Sequence, residues 1–153
     1  MNQEVGRFKR VLRVRSVERE VTQGELAEHL QEEGTILDRI NMLEAQRDSA
    51  VANFCSGASE TVSPQQLWFE RQSIDLMERN LSFDRQELDE CRFKIEETKA
   101  ELLHRHQNVQ IMERYVGKLE ERASKDIISQ EQKNLDDITS MRYRRNMQRR
   151  GHI

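Results

Sequence analysis

Proline occurs once in this 153-residue chain and cysteine twice, at Cys55 and Cys91. So few helix breakers leave long helices uninterrupted, and two unpatterned cysteines exclude a disulfide scaffold and point to a reducing cytoplasm. Aromatic residues make up 5% and hydrophobic residues 35% of the chain, too little apolar material for a multilayered globular core. No run of 18 apolar residues exists and no signal-peptide core precedes a small-residue cleavage site, so a soluble chain is expected. The net charge of -3 gives no global attraction to nucleic acid or to an anionic membrane.

Catalytic signatures are missing as well. There is no glycine-rich phosphate loop and no nucleophile elbow, and long exposed helices cannot desolvate a reacting group. His104 and His106 are two residues apart and point to different helix faces, whereas helical metal ligands sit three or four apart; His29 and His152 are isolated. Neither an enzyme nor a cofactor or metal site is expected.

What the chain does have is a ladder. Leu67, Ile74, Leu81, Leu88, Ile95, Leu102, Val109, Val116 and Ala123 are spaced seven apart, the pattern that keeps one stripe on one side of a slightly underwound helix. Leu26, Leu30, Leu37, Ile40, Leu43, Val51 and Phe54 mark an earlier helix, weakened by Gly24 and Gly34 at roughly 1 kcal/mol each. Between them, residues 55–62 are rich in small and hydroxylated side chains. Ser63 then offers an N-cap, Pro64 a first helical residue and Gln66 the other half of a capping box, with Val62 and Leu67 at staple positions. The fold predicted is all-α: one domain over residues 1–153, two long helices at about 4–54 and 64–145 forming an antiparallel coiled-coil hairpin, and a basic tail.

A loop at about 55–63 implies that paired residue numbers sum to about 118. Helix two then overhangs helix one beyond about Gly117, a candidate hinge or a merely tolerated glycine, while Leu119, Ile127, Ile128, Leu135, Ile138 and Met141 carry the apolar stripe onward. Such a stripe calls for a second protein, a second copy or a bend back. The same rule sets Asp84 near Glu33 and Gly34, and Asp84 with Arg105 reads as a polar layer fixing register. Basic residues crowd the start, from Arg7 to Arg19, and the end, from Arg142 to Arg150. Those at the start oppose the helix dipole, which leaves a solvated face or docking onto an acidic protein surface as their roles. Trp68 and Phe69 either seal the hairpin tip or anchor a partner.

The opening Arg7-Phe8-Lys9-Arg10-Val11-Leu12-Arg13-Val14-Arg15 resembles that of FliJ, the helical protein of the bacterial flagellar type III export apparatus, and of its YscO/SctO injectisome relatives. Gln130-Glu131-Gln132-Lys133-Asn134-Leu135-Asp136-Asp137 followed by Met141-Arg142-Tyr143-Arg144-Arg145 is similar to the acidic-then-basic close of flagellar FliJ proteins. The resemblance implies a stalk like the γ subunit of rotary ATPases that enters and stimulates the hexameric export ATPase, contacts the export gate FlhA and escorts export chaperones. It implies a monomer at the cytoplasmic face of the inner membrane, with no integral membrane segment. Phe8, Arg10, Leu12, Arg13, Ile138, Arg142 and Arg145 have the apolar and basic character that such a stalk end needs and are the expected ATPase contact. Because the resemblance implies a gate contact near the hairpin tip, Leu43, Gln46, Ala50, Trp68, Ile74 and Met77 are the nearest candidates for it. Flagellar and injectisome systems are not distinguished by these residues. A self-associating coiled-coil scaffold is the competing class, and nucleic-acid binding is disfavoured by the acidity and sparse aromatics.

Overall fold

The computed structural model describes residues 2–57 and 63–151. Two helices account for nearly all of them: α1 (Asn2–Gly57) and α2 (Pro64–Arg150). No strand occurs among the described residues.

Ser63 caps α2 as its sequence implies. Its hydroxyl accepts the backbone N–H of Gln66 at 3.3 Å, and its carbonyl accepts from Gln66 and Leu67 at 3.1 and 3.2 Å. Pro64 follows as the first helical residue, where a missing N–H costs nothing. The staple position Val62 lies outside the described residues. Helix α1 continues to Gly57, so residues 55–57 are helical rather than loop, and α2 runs to Arg150 rather than to about 145.

The chain divides into two compact units. One is Arg19–His104. Its core is Ile36, Ile40, Leu81, Leu88, Cys91 and Ile95, with Leu26, Leu37 and Leu43 packed against them. The helices run antiparallel: Arg39 reaches Asp84 at 3.3 Å and Glu87 at 2.6 Å, and Arg85 reaches Glu44 at 2.9 Å. The other unit joins Met1–Glu18 to Arg105–Ile153. There Phe8 meets Tyr115 edge-on with ring centroids 4.9 Å apart, Lys9 meets Glu120 at 2.7 Å and Arg105 meets Glu18 at 3.1 Å.

Every rung of the seven-residue ladder is used. Leu81, Leu88, Ile95, Val109 and Val116 are buried, and Leu67, Ile74, Leu102 and Ala123 are partly buried. Each fully buried Leu, Ile or Val contributes on the order of 1.5–3 kcal/mol relative to exposure. The register differs from the expected one. Partner numbers sum to 120 for Cys91 with His29, 123 for Arg39 with Asp84 and 129 for Arg85 with Glu44 and Lys9 with Glu120, all above the expected 118; the extension of α1 by three residues to Gly57 accounts for part of that offset. Asp84 consequently pairs with Arg39 instead of lying beside Glu33 and Gly34.

Candidate docking surfaces

In the terminal unit, Val5 sits in a groove with Lys9, Ala123, Ile127 and Ile128, so helix pairing runs past Gly117 and Val116 is buried rather than unmatched. A Cβ built on Gly117 meets nothing within 4 Å, and α2 continues through it without a break. It is a tolerated glycine in an unbroken helix, and the overhang starts about three turns later, near Ile128.

From residue 124 onward every described side chain is exposed. Helix α2 nevertheless continues to Arg150, about 40 Å further at 1.5 Å per residue. Ile127, Ile128, Leu135, Ile138 and Met141 are between 49% and 63% exposed. At 3.6 residues per turn, Glu131, Leu135, Ile138, Arg142, Arg145 and Arg149, spaced four and three alternately, fall on one face. That face opens with an acid at Glu131, is apolar at Leu135 and Ile138, and is basic from Arg142 onward.

The residues assigned to the ATPase contact separate into two groups. Phe8, Leu12 and Arg13 gather at the start of α1. Phe8 is half-buried under Tyr115 with the Arg7 guanidinium 6.0 Å from its ring centroid, and Leu12 and Arg13 line a groove with Val116 and Glu120. Arg10 is exposed and its Nε donates to the Gly6 carbonyl at 3.3 Å. Ile138, Arg142 and Arg145 lie beyond Ile128 on the overhang, at least about 15 Å along the helix from the start of α1. They therefore do not form one patch with Phe8 and Leu12. Val14 and Val17, exposed at 58% and 51%, extend an outward apolar face on α1 that a single facing helix does not require.

The second surface lies in the other unit. Of the six residues assigned to the export gate, Gln46, Ala50 and Met77 line one shallow groove together with Met42, Ala45, Ser49 and Asn53. Leu43 and Ile74 are partly buried, and Leu43 packs on the core instead of facing a partner. Trp68 is exposed and stands edge-on to Phe69 at 5.2 Å. Sequence reasoning missed a stripe beside the groove: Phe69, Leu76 and Phe83 are spaced seven apart and are 65%, 57% and 70% exposed. By helical periodicity Met42 and Phe83 each stand one turn from the Arg39–Glu87 ion pair, so stripe and groove share a flank. The signal was a second seven-residue line of large apolar residues offset by two from the seam.

No group of His, Cys, Asp and Glu among the described residues is arranged to hold a metal ion, and no helix among them is long and apolar enough to cross a membrane. Cys91 is buried, its Sγ donating to the His29 carbonyl at 3.5 Å, while Cys55 is exposed. Burial, then the carboxylates of Glu32 and Glu33, push the Cys91 thiol up, opposed by Lys94.

Comparison with known proteins gives one family. The sequence profile described as flagellar FliJ protein matches residues 3–148, nearly the whole chain. No curated protein and no solved structure matches it.

Proposed function

This chain belongs to the flagellar FliJ protein family, and is thereby a component of flagellar type III export; from that premise we propose that it is the non-enzymatic stalk of the export ATPase. The terminal end enters the ATPase hexamer and stimulates hydrolysis. The Arg19–His104 unit contacts the export gate FlhA, and the chain escorts export chaperones at the cytoplasmic face of the inner membrane.

One observation carries the reading: α2 continues from residue 124 to 150 as an exposed helix on which one face runs, after Glu131, from apolar Leu135 and Ile138 to basic Arg142, Arg145 and Arg149. Such a face fits a pore wall with apolar contacts near its mouth and acidic groups deeper in. The start of α1 adds Leu12 and Arg13 as a second contact further back along the shaft. Replacing Arg10, Arg13, Arg142 and Arg145 with Glu is expected to abolish stimulation of ATP hydrolysis by a reconstituted export ATPase hexamer. Unchanged stimulation rejects the stalk assignment.

For the gate, Gln46, Ala50 and Met77 stay in the favoured contact, joined by Met42 of the same groove and by the Phe69, Leu76 and Phe83 stripe, in place of Leu43, Trp68 and Ile74. A Phe83→Glu, Met42→Glu variant is expected to lose capture by isolated FlhA while keeping its helical content. Retained capture moves the gate contact elsewhere.

A further inference from the structure

The exposed face of the overhang has an order that neither a pore wall nor a solvated helix requires. Centred on Ile138, it reads Leu135 three residues before and Met141 three after, then Glu131 seven before and Arg145 seven after. Apolar residues flank the centre on both sides at the same spacing, and at the next step an acid on one side answers a base on the other. All lie on the described, continuous part of α2, and Leu135, Ile138 and Met141 are 62%, 49% and 63% exposed.

In an antiparallel pair of identical helices related by a two-fold axis, the residue n before the centre meets the residue n after it in the other copy. We infer that two copies of this chain pair antiparallel through residues 126–150, with the two-fold axis at Ile138. Ile138 packs on its own counterpart. Leu135 of each copy meets Met141 of the other, and Glu131 meets Arg145, twice by symmetry. Asp136 and Asp137, which would repel across the axis, fall off this face by helical periodicity. The opposite charges select the antiparallel arrangement, because a parallel pair would set Arg142, Arg145 and Arg149 against their own copies.

The area sets the strength. A contact about 40 Å long and about 10 Å wide covers roughly 400 Å² of each copy, below the size of standard stable interfaces. The pair is therefore weak and reversible, and the monomer expected from the sequence is the dilute form of an equilibrium. Pairing covers Ile138, Arg142 and Arg145, so the dimer hides the end proposed to enter the ATPase; it stands on the pattern alone and holds whether or not that end enters a ring.

Sedimentation of the full chain from about 1 to about 200 µM tests it. A monomer–dimer transition is expected. Arg145→Glu and Glu131→Arg should each weaken it more than tenfold, and the two together should restore it to within about threefold of the original, as exchanged partners of one ion pair do. In a Cys55→Ser background, Ile138→Cys should link into a disulfide dimer when diamide oxidises the paired thiols, whereas Ser140→Cys, on the far side of the helix, should link far more slowly. A monomer throughout the range, a dimer indifferent to the charge reversals, or equal linking at 138 and 140 overturns the inference, and none of these outcomes bears on ATPase stimulation.

Discussion

Leu81 and Leu135 are the same residue, on the same helix, each within an apolar stripe of helical period, yet Leu81 is 1% exposed and Leu135 62%. Around Leu81 the α1 residues Ile36 and Ile40 complete a core. Beyond Ile128 α1 supplies nothing more, and α2 stays helical with its stripe uncovered. Periodicity therefore writes a surface that wants a partner without saying whether the partner is in the same chain. In the shaft the partner is α1 and the result is stability; on the overhang the same pattern is available for association.

The sharpest test of that contrast is to truncate both leucines. Leu81→Ala should cost about 2–4 kcal/mol in urea unfolding, because it removes fully buried methyl groups and leaves a cavity between two helices. Leu135→Ala should change stability by less than about 0.5 kcal/mol and act only on association. Equal costs would mean that the overhang is packed in the free chain.

A smaller effect separates paired from solvated acids. Asp84 is 8% exposed and its carboxylate is held by Arg39, whose side chain is 45% exposed. Arg39→Ala should cost about 1–2 kcal/mol, less than for a fully buried pair because water reaches the guanidinium. Asp84→Leu should be neutral or stabilising, since an apolar residue at that seam position removes both charge burial and the need for a partner. If thermal unfolding shows Asp84→Leu to be the more damaging change, the pair adds net stability and does not merely fix register. Glu131→Leu on the exposed overhang should leave unfolding unaltered.

Much of the fold was legible because its determinants are local. The ladder from residue 67 to 123, the Ser63 cap and Pro64 fixed α2 from its start, and each acts within a turn or two of itself. The register was not local. It depends on where α1 stops, and Cys55, Ser56 and Gly57 read as loop formers although α1 continues through them, the Ser56 hydroxyl donating to the Asn53 carbonyl. With the register offset, Asp84 pairs with Arg39 and the overhang begins near Ile128 instead of Gly117. Ile36, only 2% exposed, was missed beside Leu37 because neighbouring apolar residues make the facing one ambiguous from sequence. Of the candidate surfaces, the uncovered stripe through Leu135, Ile138 and Met141 was legible as a continuing period. The Phe69, Leu76 and Phe83 line was not, since an apolar residue off the seam reads as unremarkable until its exposure is known.

The smallest effect contrasts the two cysteines. Cys91 lies in the core, donates its thiol to the His29 carbonyl and has its ionisation raised above the ordinary value of 9.0, first by burial and then by Glu32 and Glu33. The folded chain thus holds this proton more tightly than the unfolded chain. Below about pH 9 both states keep it and the packing is intact; as pH rises further the unfolded state loses the proton first, so stability must fall. Urea midpoints measured from pH 7 to about pH 10.5 should decline more steeply for the native chain than for Cys91→Ala, although the Ala variant is less stable at pH 7. Cys55, exposed at the end of α1, should react with a thiol reagent at once at pH 8, and Cys91 only as fast as the shaft opens. Equal reactivity of the two would place Cys91 in a part of the seam that breathes freely, and would weaken the distinction between a covered stripe and an uncovered one.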